Sequence, residues 1–256
     1  ARRIEALRGG EAESAPAVVR VARDRAPPLS FAQQRLWFID RLEPGSATYN
    51  VPVAIRLCGG IHPNALNCAL KEIVRRHEVL RTVFREQSGE PVQVVAPAAP
   101  GVLRVEDLRS FGDDREAEVL RRARVEADQV FDLGAGPLLR AFLLRVAEDE
   151  HVLLLTMHHI VTDGWSTGVL FRELGALYGA FAHGEAGALP ELPVQYADYA
   201  VWQREWLSGE TLDAKLGYWR ERLADSTPLL ALPTDRPRPQ VQDARGGSGR
   251  LALPPD

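Results

Sequence analysis

The strongest constraint on this chain is the tract HVLLLTMHH at residues 151–159. A strand with one wet face alternates apolar and polar residues, whereas VLLLTM runs apolar almost without a break. Such a strand is buried on both faces, so it belongs in the middle of a sheet. The preceding tract PLLRAFLLRV, set off by the polar AEDE turn, reads as its neighbour.

Helical patterns flank this pair, which makes the chain α/β. Ser30 is placed to N-cap a helix through FAQQRLWFIDRL, which Pro44 and Gly45 bring to a stop. Val51, Val53, Ile55 and Leu57 alternate as in a half-buried strand, and Pro52 puts its start or an edge there. From about Pro63 to Leu80, the residues Ala65, Leu66, Ala69, Leu70, Ile73, Val74 and His77 fall on one helical face. LRTVFRE, PVQVVA and VLRVED read as short strands, and residues 113–128 as a solvated helix with charge pairs such as Glu118 to Arg122. After Gly164, apolar residues from Trp165 to Phe181 recur at helical spacing, and VQYADYAVWQREWL and TLDAKLGYWRERLA read as two further amphipathic helices.

Composition excludes several classes. At 256 residues the chain has room for one large domain or two lobes, and 45% hydrophobic with 26% charged residues is ordinary globular usage. No run approaches the roughly 18 apolar residues of a membrane span. A net charge of −4 removes the electrostatic case for nucleic acid or an anionic membrane as partner. Two cysteines, Cys58 and Cys68, without a CxxC pair or a signal-like start, suit reduced thiols in a cytoplasmic protein.

The chemistry concentrates in MHHIVTDGWS, which places His158, His159, Asp163 and Gly164 at a strand-to-helix junction. Adjacent strand residues point to opposite faces, so one histidine can face a cavity while the other packs behind it. An imidazole beside a helix amino terminus can take or share a proton from an attacking nucleophile. Asp163 can hold the loop by accepting backbone or arginine hydrogen bonds, and Gly164 permits close approach of a ligand to the backbone. A purely structural histidine pair is the main rival reading. A metal site is disfavoured, because His62, His77, His151 and His183 lack zinc-like spacing.

Four tracts in order, LSFAQQRLWFI, RHEVLRTVF, MHHIVTDGWS and YADYAVW, resemble the condensation domains of nonribosomal peptide synthetases, relatives of chloramphenicol acetyltransferase. The resemblance implies a chloramphenicol acetyltransferase-like lobe, with a mixed sheet covered by helices and the strand ending at His158 central. It implies that residues 1–8 are the last helix of an upstream peptidyl carrier domain, 9–28 an interdomain linker, 29–232 the amino-terminal lobe and 233–256 a crossover toward a carboxy-terminal lobe. His159 is implied to be catalytic and His158 structural. Asp163 is implied to pair with an arginine, Arg76 first and Arg81 second. Trp165 and Ser166 would begin the following helix, while Gln33 and Trp202 would pack or hydrogen-bond.

The implied reaction is amide formation between a donor thioester and the α-amine of an acceptor aminoacyl thioester. Both substrates ride on phosphopantetheine arms of upstream and downstream carrier domains, with an adenylation domain adjacent, and no cofactor is bound by the chain itself. The histidine pair and the DGWS order favour ordinary condensation over heterocyclization or epimerization, and the isolated lobe is expected to be inactive. Two other readings stay open: a coenzyme A-dependent acyltransferase of the same superfamily, and a noncatalytic domain that docks carriers or recruits another enzyme.

Overall fold

The computed structural model describes residues 15–98, 101–187, 189–227 and 233–237. The expectations for residues 1–8 and for nearly all of 233–256 therefore lie outside the described residues. The chain divides into two compact units, 1–209 and 210–256. The first unit carries everything described below except the helix α6, Gly209–Leu223.

Its frame is a four-stranded sheet in the order β1, β6, β5, β4, where β1 is Asn50–Cys58, β4 Leu103–Asp107, β5 Leu139–Arg145 and β6 Glu150–His158. β6 is antiparallel to both neighbours and β5 is parallel to β4, so the sheet is mixed. All of β6 after Glu150 is buried, which confirms that the apolar run occupies an interior position. β1 starts just before Pro52 and alternates half-buried and exposed residues, as its pattern requires.

The two faces of β6 feed two cores. Leu153, Leu155 and Met157 join the larger core, while Val152 and Leu154 join a smaller one with Leu108, Val119, Leu144 and Val146. Helix α2 (Pro63–Arg76) covers the larger core with Leu66, Ala69, Leu70 and Ile73, and α4 (Gly164–Ala182) adds Leu170, Leu174 and Leu177. Each such Leu or Ile taken wholly from water contributes about 1.5–3 kcal/mol. Val119 on α3 (Arg115–Asp128) closes the smaller core, and Glu118 on its outer side pairs with Arg122 as expected.

Two boundaries differ from the sequence expectation. The helix expected to reach Leu80 ends at Arg76, where His77 turns extended at φ −99° and ψ 98°, and a single 3₁₀ turn Glu78–Arg81 follows. The helix expected from residue 113 begins at Arg115, after a 3₁₀ segment broken at Gly112, whose φ of 57° favours glycine. β2 (Thr82–Gln87) and β3 (Glu90–Val95) form a separate hairpin.

Helix α1 (Phe31–Leu42) starts where Ser30 predicted. The Ser30 side chain accepts from the Gln33 N–H at 3.2 Å, and the Gln33 side chain accepts from the Ser30 N–H at 3.1 Å, completing a capping box. Residues 15–28, expected as a linker, run along the body without regular secondary structure, bend at 23–25 and bridge to β3 through Pro28 and Val92. Cys58 and Cys68 are exposed free thiols. Among the described residues, no helix is long and apolar enough to cross a membrane.

Candidate active site

The strand end separates the two histidines as alternation requires. His158 is only 4% exposed, and its ring packs edge-on to Phe131 and tilted against Tyr49. Its Nδ1 accepts from the Ile160 N–H at 3.1 Å, so the ring proton sits on Nε2. Burial, followed by the neighbouring His159, pushes its pKa down to about 4, which keeps the ring neutral at ordinary pH.

His159 stands on the opposite side and is exposed. Its backbone N–H donates to the Tyr49 carbonyl at 2.8 Å, which extends the β1 pairing by one residue. Its Nδ1 lies 2.8 Å from the Thr162 carbonyl oxygen. A carbonyl can only accept, so Nδ1 carries the proton and the Nε2 lone pair has no hydrogen-bond partner among the described residues. The ring borders a cavity of about 470 Å³ whose wall also includes Gln33, Met157, Trp165, Tyr196 and Tyr199.

Asp163 closes the loop at the start of α4. Its Oδ1 accepts from the Ser166 N–H at 2.8 Å and from the Ser166 hydroxyl at 2.6 Å, a helix N-cap. These two bonds, more than the nearby His159, hold its carboxyl below the usual carboxylate range. The expected arginine partnership is not made. Arg76, 6% exposed, gives Nε to Glu173 Oε2 at 3.1 Å, and Arg81 donates Nη1 to the Ala96 carbonyl at 2.7 Å. The cause is the register of α2 against α4. Glu173 lies ten residues beyond Asp163, about 15 Å along the helix axis, and the packing brings Arg76 to that level.

The remaining expected residues take the following places. Trp165 and Ser166 begin α4, with Trp165 85% exposed. A Cβ at Gly164 would meet no atom within 4 Å, so nothing in the described chain itself demands glycine there. Gln33 is 1% exposed, and its amide nitrogen lies 3.4 Å from the Ile160 carbonyl, beside the histidine loop. Trp202 both packs and hydrogen-bonds: it stacks between Tyr199 and Trp206 on α5 (Tyr196–Trp206), and its Nε1 donates to the Pro16 carbonyl at 2.6 Å.

Sequence reading missed the α5 wall. Tyr196 and Tyr199 line the cavity, and the Tyr196 hydroxyl lies 3.0 Å from Ser30 Oγ. Their i, i+3 spacing in the quoted YADYAVW tract puts them on one helical face and was the available signal. His77 also reaches the cavity wall, with Nε2 engaged 2.7 Å from Glu173. No group of three or more His, Cys, Asp or Glu side chains arranged to hold a metal occurs among the described residues.

Comparison with known proteins identifies the family and the fold. Residues 24–256 match the family described as Condensation domain. One of the linear gramicidin synthase proteins of Brevibacillus parabrevis is 53% identical over 232 residues, covering 90% of this chain and 5% of that protein. Phosphinothricin tripeptide synthetase PhsC of Streptomyces viridochromogenes is 48% identical over 241 residues, covering 93% of this chain and 22% of that protein. The chain thus spans a small part of the length of these relatives. Among solved structures, the X-domain from teicoplanin biosynthesis superposes with a TM-score of 0.77 at 34% identity, covering 88% of this chain and 49% of that one. The starter condensation domain of rhizomide synthetase RzmA shares the fold, with a TM-score of 0.72 at 23% identity over 80% of this chain and 49% of that one. A mixed sheet whose buried central strand delivers one histidine to a cavity, a family match over nine-tenths of the sequence and relatives near half identity lead to one conclusion: the chain belongs to the condensation-domain family.

Proposed function

We propose that this chain is the histidine-bearing, amino-terminal lobe of a cytoplasmic nonribosomal peptide synthetase condensation domain. It joins a donor acyl or peptidyl thioester to the α-amine of an acceptor aminoacyl thioester. Both substrates are presented on phosphopantetheine arms by upstream and downstream peptidyl carrier domains, with an adenylation domain nearby. One observation carries the reading: Nδ1 of His159 is held by the Thr162 carbonyl, which leaves Nε2 open beside a cavity large enough for a substrate arm.

The chemistry follows from that tautomer. A free α-amine has a pKa of about 7.7–8.0, so on the order of a tenth is already neutral at pH 7. Nε2 accepts a hydrogen bond from the attacking nitrogen and orients it toward the thioester carbonyl. As the C–N bond forms, Nε2 takes the excess amine proton; collapse of the intermediate breaks the C–S bond, and the departing thiolate receives a proton in turn. His158 stays neutral behind the strand, and the first turn of α4 directs its amide dipoles toward the loop.

The remaining wall of the site is assigned to a carboxy-terminal lobe, so the 256 residues alone are expected not to turn over. The test charges donor and acceptor carriers and follows amide product by mass spectrometry, with the intact synthetase and with this chain alone. Product from the intact enzyme only is expected. Release of the donor by water with no amide from the intact enzyme would overturn the reading. A recruitment role has one observation in its favour, since the solved complex of the X-domain and OxyB from teicoplanin biosynthesis matches this chain with a TM-score of 0.75 at 35% identity. That role predicts unchanged amide yield when His159 is replaced.

A further inference from the structure

Residues 15–28 cross the body as an irregular strap, and the contacts of Val21 and Arg23 converge on one fully buried carboxylate. Asp198, in the first turn of α5, accepts at Oδ1 from Arg23 Nη1 at 2.7 Å and from the Val21 N–H at 3.0 Å. Its Oδ2 accepts from the Gln195 N–H at 2.7 Å. The Arg23 guanidinium continues to Glu78 Oε2 at 2.9 Å and folds back onto the Val21 carbonyl at 2.7 Å. Gln195 carries the network onward: its side-chain oxygen accepts from the Glu78 N–H at 3.0 Å, and its amide donates to the Arg76 carbonyl at 2.9 Å.

A buried carboxylate is tolerated only when it is paired and hydrogen-bonded. Burial pushes the Asp198 carboxyl up, and the hydrogen bonds from Arg23, Val21 and Gln195 outweigh it, holding the group below the usual carboxylate range. Taking Arg23 away would leave that charge indoors with backbone donors alone.

This node sits beside the candidate site. Gln195, the N-cap of α5, and Tyr196 and Tyr199 near its start line the cavity that His159 borders. The later half of α5 is anchored separately, because Arg204 donates Nε to the Leu29 carbonyl at 2.8 Å and Nη2 to Gln34 Oε1 at 2.6 Å. Loss of the strap contact therefore loosens the cavity end of α5 without releasing the helix.

We infer that Arg23 and Asp198 are positioning residues that clamp the α5 wall of the His159 cavity, which makes the strap ahead of the sheet a support of that wall. The kinetic consequence rests on the amide-forming function proposed above; the structural consequence does not. Arg23→Ala, Arg23→Lys and Glu78→Gln are introduced into this chain for hydrogen exchange and into the intact synthetase for kinetics with a free acceptor carrier. Arg23→Ala should speed exchange of the amides at 195–199 roughly tenfold while those of β5 and β6 stay protected, and should raise KM roughly tenfold with kcat within about twofold. Arg23→Lys should recover part of both effects, and Glu78→Gln should give a smaller shift in the same direction. Unchanged exchange at 195–199, or a lowered thermal midpoint with KM unaltered, would overturn the clamp. A wild-type synthetase that forms no amide would sink the proposed reaction and leave the exchange result to decide the clamp.

Discussion

The two sides of the chain at the end of β6 differ more than two successive residues usually do. On one side His158 is buried among Tyr49 and Phe131, neutral and committed to the Ile160 N–H. On the other His159 is exposed, its ring held through Nδ1 and its Nε2 without a partner among the described residues. The same residue type serves as packing and as chemistry because a strand alternates its faces. The lesson is that burial on one side supplies the rigidity the other side uses: the loop from Ile160 to Asp163 is pinned through the His158 ring, and that loop holds the His159 ring.

The largest effect should come from the open side. In the intact synthetase, His159→Ala should lower the rate of amide formation on the order of 100- to 10,000-fold, as expected for loss of a proton-transfer group, with the thermal midpoint nearly unchanged. Rapid-quench measurement of product checks this. If His158→Gln lowered the rate as far while the protein stayed fully folded, the division between the two sides would be broken.

The packed side should respond in stability. Leu155 is fully buried at the centre of β6, and Leu155→Ala removes side-chain contacts that the sheet cannot refill. Denaturant unfolding should show a loss of about 2–5 kcal/mol. A loss near zero would mean that β6 is not the rigid member of the pair.

A subtler contrast comes from pH. The His158 pKa falls from 6.5 to about 4 on folding, so between those values the unfolded chain binds the proton that the native chain refuses. Stability therefore falls as pH drops through that window, with about 2 kcal/mol lost by pH 5 relative to pH 7. Thermal midpoints of the native chain and of His158→Asn at the two pH values measure it, and the variant should lose less on acidification. Equal losses would show that the His158 side does not titrate as its burial requires.

How much of this was legible follows the range of the interactions. The VLLLTM run placed β6 inside the sheet, Ser30 marked the α1 cap, and alternation set the two histidines on opposite sides, because each depends on residues adjacent or one turn apart. A backbone partner for Asp163 was among the readings the residues offered, but the choice against an arginine was not legible, since the reach of Arg76 depends on how α2 sits against α4. The strap was missed for the same reason: an Ala- and Pro-rich stretch has no periodicity that announces an Arg23 contact 175 residues away on α5. Short-range pattern located the chemistry, and long-range packing decided what holds it.

The smallest expected effect concerns the loop that joins the two sides. If Asp163 were held by a buried arginine, Asp163→Ala would leave an uncompensated charge and cost about 3–5 kcal/mol. It is instead an exposed N-cap bonded to Ser166, so the substitution should cost about 1 kcal/mol, as is usual for removing such a cap. Asp163→Asn keeps an oxygen acceptor for the Ser166 N–H and should cost less still. Both variants should remain folded, and denaturant midpoints read the difference directly. A loss of several kcal/mol for Asp163→Ala would restore an arginine as its partner and would make the loop part of the packed side.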